Sequence, residues 1–365
     1  MFCDSVRMIW AKAPRSDVPL FRVTRNGKVG YIDATGRLVI PPRFDLTLNE
    51  GGDFFEGVAS VKVGRKWGYV NSSGAFVIRP AFAWAEPFSD GRALVGVGAG
   101  GPIRRVGFIG KDGRFISERN PSSLTQSFSE GFAAVEFEDR QWAYIDTSDK
   151  IALPQRFAWA RRFSEGLARV IEHGGCEVQE DMCHWMDVPA DPLDRTTQAE
   201  SGKPLPACRF SFIDKSGAAV LTGFENTQDF SEGLAGARRS KLWGFIAPDG
   251  AQVIPERFEA VKPFHEGLAA VQLDGKWGFI DRAGAMIIKP QFTNVEGFSD
   301  GIGLVQDEDY MFIDKTGKQL FGRTFSLATP FAFGLAHVAL EGRFDQRWGY
   351  INREGAVVYK YNGRE

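Results

Sequence analysis

A short block of sequence recurs along the whole chain with a nearly constant step. The step from Gly244 to Gly278 repeats, with one residue fewer, from Gly278 to Met311. A constant period indicates that one small structural unit is copied in series, because such a unit buries its hydrophobic face only against its neighbours. The chain is therefore predicted to be a single array of about nine repeats, and not a set of unrelated domains.

Two motifs keep this period in the same order. One is a Trp-Gly pair, or a variant of it, followed by an aromatic and an aliphatic residue; its tryptophans are Trp67, Trp142, Trp243, Trp277 and Trp348. The other is Ser-Glu-Gly-Leu-Ala, which occurs at 164–168 and 231–235 and in variants elsewhere. Because the motifs recur in every unit, we expect the five tryptophans to be buried at equivalent structural positions.

Each unit is predicted to contain three short antiparallel strands, which makes the fold all-β. In the clearest copy, Asp274-Gly275 separates two apolar runs, and such a pair is typical of a two-residue hairpin whose central residues both have positive φ. A second turn follows at Gly284. The third strand is expected to stop at Pro290, and equivalently at Pro41-Pro42, Pro80, Pro154 and Pro255, since proline cannot donate to a strand ladder.

The domain organisation follows from these units. Residues 1–14 are predicted to be an amphipathic helix that ends at Pro14 and covers the first sheet, and residues 15–365 form the array. Complete units at both ends favour an open, curved array. The alternative is a closed, propeller-like ring.

The sequence blocks Lys-Trp-Gly-Phe-Ile-Asp, Val-Ile-Pro and Phe-Ser-Glu-Gly-Leu-Ala resemble the WG-repeat family of bacteria. The resemblance covers residues 21–361. It implies a β-rich repeat scaffold, and it brings no catalytic residue to this chain.

Composition and repetition both argue against several classes of function. The net charge is −2 without a long basic run, so no nucleic-acid partner is expected. No apolar run is long enough to span a membrane. A catalytic group is needed once, whereas the acidic positions recur from unit to unit. The aspartates after the second strand, such as Asp281, are expected to close turns, and the glutamates of Ser-Glu-Gly to pair with neighbouring units. No catalytic residue, metal site or cofactor is predicted.

The fifth unit departs from the pattern, because it contains an insertion at 172–208. A disulfide between Cys176 and Cys208 at its base is the favoured interpretation, and a second bridge between Cys3 and Cys183 is open. Free thiols, or a zinc site that also uses His184, are the alternatives. The insertion is acidic, and its predicted binding residues are Glu177, Glu180, Asp181, His184, Trp185 and Asp187.

The function predicted from these features is a non-catalytic protein-binding scaffold. The insertion and the variable hairpin tips are expected to bind another protein, and the sharper form of the prediction is an inhibitor or an immunity protein of the bacterial envelope. The cysteines favour a periplasmic or extracellular location with a signal peptide removed, and the cytoplasm is the alternative. The competing prediction is a protein that binds or processes cell-wall carbohydrate on the aromatic platforms Trp84 and Trp159.

Overall fold

The computed structural model describes residues 19–47, 52–98, 105–116, 125–172, 209–340 and 347–362. All regular structure in these ranges is β-strand, as the sequence predicts. The helix predicted for residues 1–14 is not borne out. Those residues lie outside the described ranges, and the described ranges contain no helix. The described chain divides into two compact units: one takes in 125–146 and 150–297, and the other takes in 19–116, 147–149 and 298–362.

Nine small antiparallel sheets, one for each repeat, make up the described chain. The strands of the first four repeats are β1 (Phe21–Arg25), β2 (Lys28–Ile32), β3 (Leu38–Asp45), β4 (Phe54–Phe55), β5 (Val58–Val63), β6 (Lys66–Asn71), β7 (Phe76–Phe82), β8 (Trp84–Ala85), β9 (Ala93–Val97), β10 (Arg105–Ile109), β11 (Phe132–Glu136) and β12 (Trp142–Asp146). The next two repeats contain β13 (Trp159–Ser164), β14 (Leu167–Ile171), β15 (Phe210–Ile213), β16 (Ala219–Phe224), β17 (Asn226–Thr227), β18 (Ala235–Arg238), β19 (Trp243–Ile246) and β20 (Gln252–Phe258). The last three contain β21 (Ala260–Val261), β22 (Leu268–Leu273), β23 (Lys276–Asp281), β24 (Met286–Phe292), β25 (Asn294–Ser299), β26 (Ile302–Gln306), β27 (Tyr310–Ile313), β28 (Leu335–Ala339), β29 (Arg347–Asn352) and β30 (Val357–Asn362).

The strand order in each sheet follows the chain. Repeats two, five, six and seven carry an extra strand before the three that the sequence predicts, so the order in the seventh is β21–β22–β23–β24. The extra strand has two residues in repeats two, six and seven and six residues in repeat five. In the seventh repeat Leu273 pairs with Lys276 across a two-residue turn. Both turn residues have positive φ, 50° at Asp274 and 70° at Gly275, which is the conformation predicted for an Asp-Gly hairpin.

In four repeats the third strand continues through its proline, so the predicted stop was wrong there; residues 152–156, around Pro154, form no strand. Strand β24 runs from Met286 to Phe292 and contains Pro290. Trp277 pairs with Phe292 and Phe279 pairs with Ile288, which leaves residues 289–291 opposite Gly278 alone. This is a bulge of three residues opposite one, and within it the missing N–H of proline interrupts no ladder bond. The same correction applies to strands β3, β7 and β20, which contain Pro41, Pro42, Pro80 and Pro255.

The bulge explains why glycine follows tryptophan in the first motif. A Cβ atom on Gly278 would lie 2.5 Å from the backbone oxygen of Ile288 and 2.7 Å from the nitrogen of Pro290. The same close approach to backbone atoms occurs at Gly30, Gly68 and Gly244. Glycine is therefore required in the motif because the second and third strands approach so closely there that no side chain fits between their backbones.

The tryptophans fill the cores between strands, as predicted for four of the five. Trp67, Trp142, Trp243 and Trp277 are buried; the first three belong to clusters of buried apolar residues, and Trp277 lies opposite the buried Phe292. Trp348 is only half-buried; its indole stacks on the imidazole of His337 with ring centroids 4.8 Å apart. The last repeat therefore packs differently from the others.

The glutamates of the second motif connect successive repeats, in agreement with the prediction. Glu232 accepts hydrogen bonds from the backbone N–H groups of Glu266 and Gly267 at 2.7 and 2.9 Å. Glu165 makes the same pair of bonds to residues 232 and 233 of the repeat that follows it. The adjoining serine adds a third link, since Ser231 Oγ donates to the backbone oxygen of Phe264. At these two junctions the glutamate of one repeat thus holds the tight turn of the next.

The first and ninth repeats, which both belong to the second unit, pack against each other. Phe21 and Tyr350 meet edge to face with ring centroids 5.6 Å apart, within a buried cluster that also contains Val23 and Leu335. The Tyr350 hydroxyl donates to the backbone oxygen of Arg22 at 2.7 Å.

Candidate binding surface

The hairpin tips between the first and second long strands are the most variable part of the repeats. The described tips are exposed, and their charge changes from one repeat to another. Residues 25–28 and 239–241 are basic, whereas 138–139 and 307–308 are acidic. A uniform framework that carries tips of different charge is typical of proteins that present a recognition surface.

Carboxylates from the preceding repeat hold two of these tips in place. Glu259, which follows the buried Phe258, accepts hydrogen bonds from the backbone N–H groups of Asp274 and Gly275 at 3.1 and 2.9 Å. Asp45, which follows the buried Phe44, receives the backbone N–H of Gly64. Backbone donors bound by a carboxylate leave the tip little freedom, so these loops are ordered before any partner arrives.

A second kind of contact supports the tips from within their own repeat. Glu256 accepts hydrogen bonds from the Arg239 backbone N–H at 2.9 Å and from the Ser240 hydroxyl at 3.0 Å. Lys28 forms an ion pair with Asp45, and this hydrogen bond holds the pKa of the Asp45 carboxyl below its usual range. The sequence interpretation missed these carboxylates. An acidic residue directly after a third-strand phenylalanine is the pattern that would have found two of them.

The insertion lies at a hairpin tip, as predicted. Strands β14 and β15 pair directly across it, with Ile171 opposite Phe210 and Ala168 opposite Ile213. The same register joins Ala269 to Ile280 in the seventh repeat. The flanking sheet is therefore complete without the inserted residues.

The predicted binding residues Glu177, Glu180, Asp181, His184, Trp185 and Asp187 lie outside the described residues. The same is true of Cys3, Cys176, Cys183 and Cys208, so the disulfide, thiol and zinc alternatives stay predictions. Among the described residues, no group of three His, Cys, Asp or Glu side chains could hold a metal ion. No helix in the described part of the chain is long and apolar enough to cross a membrane.

The two tryptophans of the carbohydrate alternative pack against the protein core. Trp84 lies on Gly96, where an added Cβ would stand 2.2 Å from the indole nitrogen. Trp159 meets Phe210 edge to face at 5.7 Å. Both side chains are half-buried beside clusters of buried residues in their own repeats. Each ring is therefore engaged on at least one side by the fold itself.

Five segments of the chain match a family model. The model described as WG containing repeat matches residues 30–67, 67–98, 142–176, 243–277 and 277–309. The chain is a WG-repeat protein, as its motifs indicated. The matched segments contain the glycines that face the proline bulges at Gly68 and Gly244, and the buried tryptophans beside them.

Solved structures that resemble the chain include two bacterial proteins and one design. BamB from Moraxella catarrhalis is 12% identical with a TM-score of 0.42, over 77% of this chain and 88% of that one. AztD from Citrobacter koseri is 11% identical with a TM-score of 0.42, over 94% of both chains. The computationally designed Ika8 protein is 13% identical with a TM-score of 0.41, over 78% of this chain and 87% of that one. No curated protein sequence matches the chain. None of these likenesses transfers a partner or an activity.

Proposed function

We propose that this protein is a non-catalytic scaffold that binds another protein through its hairpin tips and the 172–208 insertion. The observation that carries the proposal is the combination of exposure, variable charge and rigid support at the tips. Glu256 and Glu259 accept hydrogen bonds from the backbone of two exposed tips, which present Arg239 in one repeat and Asp274 in the other. Loops that are ordered in advance lose less entropy on binding, which favours recognition over mere solvation.

The insertion extends the same surface. It replaces a two-residue turn at a position where the flanking strands already pair with each other. Its sequence is acidic, which suits a partner with a basic surface. The sharper form of the proposal is an inhibitor or immunity-type protein whose insertion blocks a basic active site, in the periplasm or outside the cell.

The carbohydrate alternative receives less support. A sugar platform needs an aromatic face open to solvent, whereas Trp84 and Trp159 are half-buried and rest on Gly96 and Phe210. Catalysis on such a polymer would further need a pair of carboxylates across one cleft. The recurring carboxylates of the Ser-Glu-Gly motif, such as Glu232 and Glu165, instead accept hydrogen bonds from backbone N–H groups.

The test is an affinity capture with three forms of the chain. The first is the intact protein; the second has residues 173–208 replaced by Asp-Gly; the third is Val253→Thr, a change at an exposed position of an outer strand. We expect a partner that the intact chain and Val253→Thr capture equally and that the deletion form loses. Equal capture by all three forms would contradict a role for the insertion.

A further inference from the structure

An arginine clamp joins the third strand of one repeat to the second turn of the next at several junctions. Arg257 donates to the backbone oxygen of Gly284 at 2.6 Å, and Arg323 donates to that of Gly355 at 3.0 Å. Arg43 makes the equivalent bond to Gly74. In each case the guanidinium also lies over a nearby phenylalanine ring of its own strand segment, at about 5 Å from the ring centroid.

The junction between the fourth and fifth repeats breaks this pattern. Arg156 occupies the same place in the sequence, between Pro154 and Phe157, and Gly217 is the matching turn glycine. The Arg156 guanidinium instead lies 4.3 Å from the ring centroid of Phe137. The side chain of Gln155 takes the position beside Gly217, where an added Cβ would be 2.4 Å from Gln155 Oε1.

A cavity of about 310 Å³ opens at this junction. Its lining contains Gln155, Arg156, Phe157, Glu172, Ile213 and the turn residues Gly217 and Ala219. Within the described part of the chain, two buried polar atoms of this lining, Gln155 Oε1 and Arg156 Nη1, have no hydrogen-bond partner. A buried donor or acceptor without a partner destabilises the fold, so a bound ligand that pairs with these atoms would offset that cost.

We propose that this cavity binds a small carboxylate that also bears an amine, such as a free amino acid. The Arg156 guanidinium binds the carboxylate through a charge-assisted hydrogen bond. Gln155 Oε1 and the exposed Glu172 carboxylate at the rim accept from the ammonium group. Phe157 and Ile213 form the apolar wall, and the volume lies at the lower end of the range of small-ligand pockets.

Isothermal titration with leucine, leucinamide and N-acetyl-leucine tests the assignment. We expect leucine to bind to the intact chain, and the two analogues to bind at least tenfold more weakly, since each lacks one of the charges. Arg156→Gln should abolish leucine binding. Arg257→Gln is the matched control: it removes the equivalent arginine at a junction where the clamp to Gly284 is closed, and it should leave leucine binding unchanged.

Three outcomes would overturn the proposal. They are no heat of binding with leucine in the intact chain, equal binding of all three compounds, and unchanged leucine binding in Arg156→Gln. The form with residues 173–208 replaced by Asp-Gly provides a further arm. Leucine binding in that form alone would mean that the cavity serves a segment of this chain, and the free amino-acid site would be refuted. Circular dichroism of each variant separates loss of the site from loss of the fold.

Discussion

Protonation of His337 should destabilise the packing between the first and ninth repeats. In the seventh repeat this position is Ala270, whereas here an imidazole stacks between Trp348 and Tyr361. The Tyr361 hydroxyl lies 2.6 Å from His337 Nε2. Desolvation, with a smaller contribution from the Arg22 charge, lowers the pKa of His337 from 6.5 to about 4.

The sign and size of the effect follow from that pKa. Between pH 6.5 and pH 4, His337 is mostly protonated in the unfolded chain and mostly neutral in the folded chain. The free energy of unfolding therefore falls as the pH falls. Below pH 4 both forms are protonated and this loss is complete. The shift corresponds to an upper value of about 3 kcal/mol. Because His337 is only half-buried, solvent screens part of the charge, and we expect a loss of about 1–2 kcal/mol.

Urea unfolding at pH 7.5, 6.0, 5.0 and 4.5 measures this loss, and His337→Ala is the matched variant because alanine fills the place in the seventh repeat. The variant should lose less stability than the natural chain over this range. Carboxylates whose pKa is lowered, such as Asp33 with a pKa of about 2, reduce the free energy of unfolding only at still lower pH, where they become protonated. Parallel pH profiles for the two chains, or an NMR titration midpoint of His337 near 6.5, would refute the reasoning.

Four further predictions address the repeat architecture and the insertion. Gly278→Ala should cost at least about 1–3 kcal/mol in urea unfolding, because its Cβ meets the backbone oxygen of Ile288 at 2.5 Å; wild-type stability would remove our reason for the Trp-Gly pair. Glu232→Ala should cost about 1.5–3 kcal/mol through two lost charge-assisted hydrogen bonds to the next repeat, and a change below experimental error would mean that solvent replaces them. Replacement of 173–208 by Asp-Gly should leave the melting temperature nearly unchanged, since loop closure costs only about 0.6 kcal/mol per doubling of loop length; a large drop would make the insertion a structural element. Thiol titration of the denatured, unreduced chain should find fewer than its four cysteines if Cys176 is bridged, and four reactive thiols would contradict the disulfide.

Much of the local structure could be predicted because it depends on residues close in sequence. The hairpin at Asp274-Gly275 follows from the positive φ that both residues adopt, and Asp281 closes its turn by accepting the N–H groups of Ala283 and Ala285, as expected. Part of the candidate surface was predictable for the same reason. The place of the insertion between two strands can be recognised in the sequence, because the strand motifs at 167–171 and 210–213 flank it.

The errors and omissions arose where two distant segments meet. Pro290 was expected to end its strand because proline has no backbone N–H to donate. In the structure Pro290 lies in the bulge opposite Gly278, where the ladder requires no donor, and the strand continues. The cavity beside Arg156 could not be predicted, because its sequence context matches that of Arg257 and only the position of Phe137 draws the guanidinium away.

By itself, the sequence determined the period, the all-β class, the number of repeats and the residues that join one repeat to the next. These properties depend on patterns that each repeat carries and that nearest-neighbour packing enforces. Only the tertiary structure decided that Tyr350 reaches Arg22, because the residues at the two chain ends have no shared sequence pattern. It also decided which polar groups stay without partners, since hydrogen bonding across a junction depends on the final position of every side chain around it.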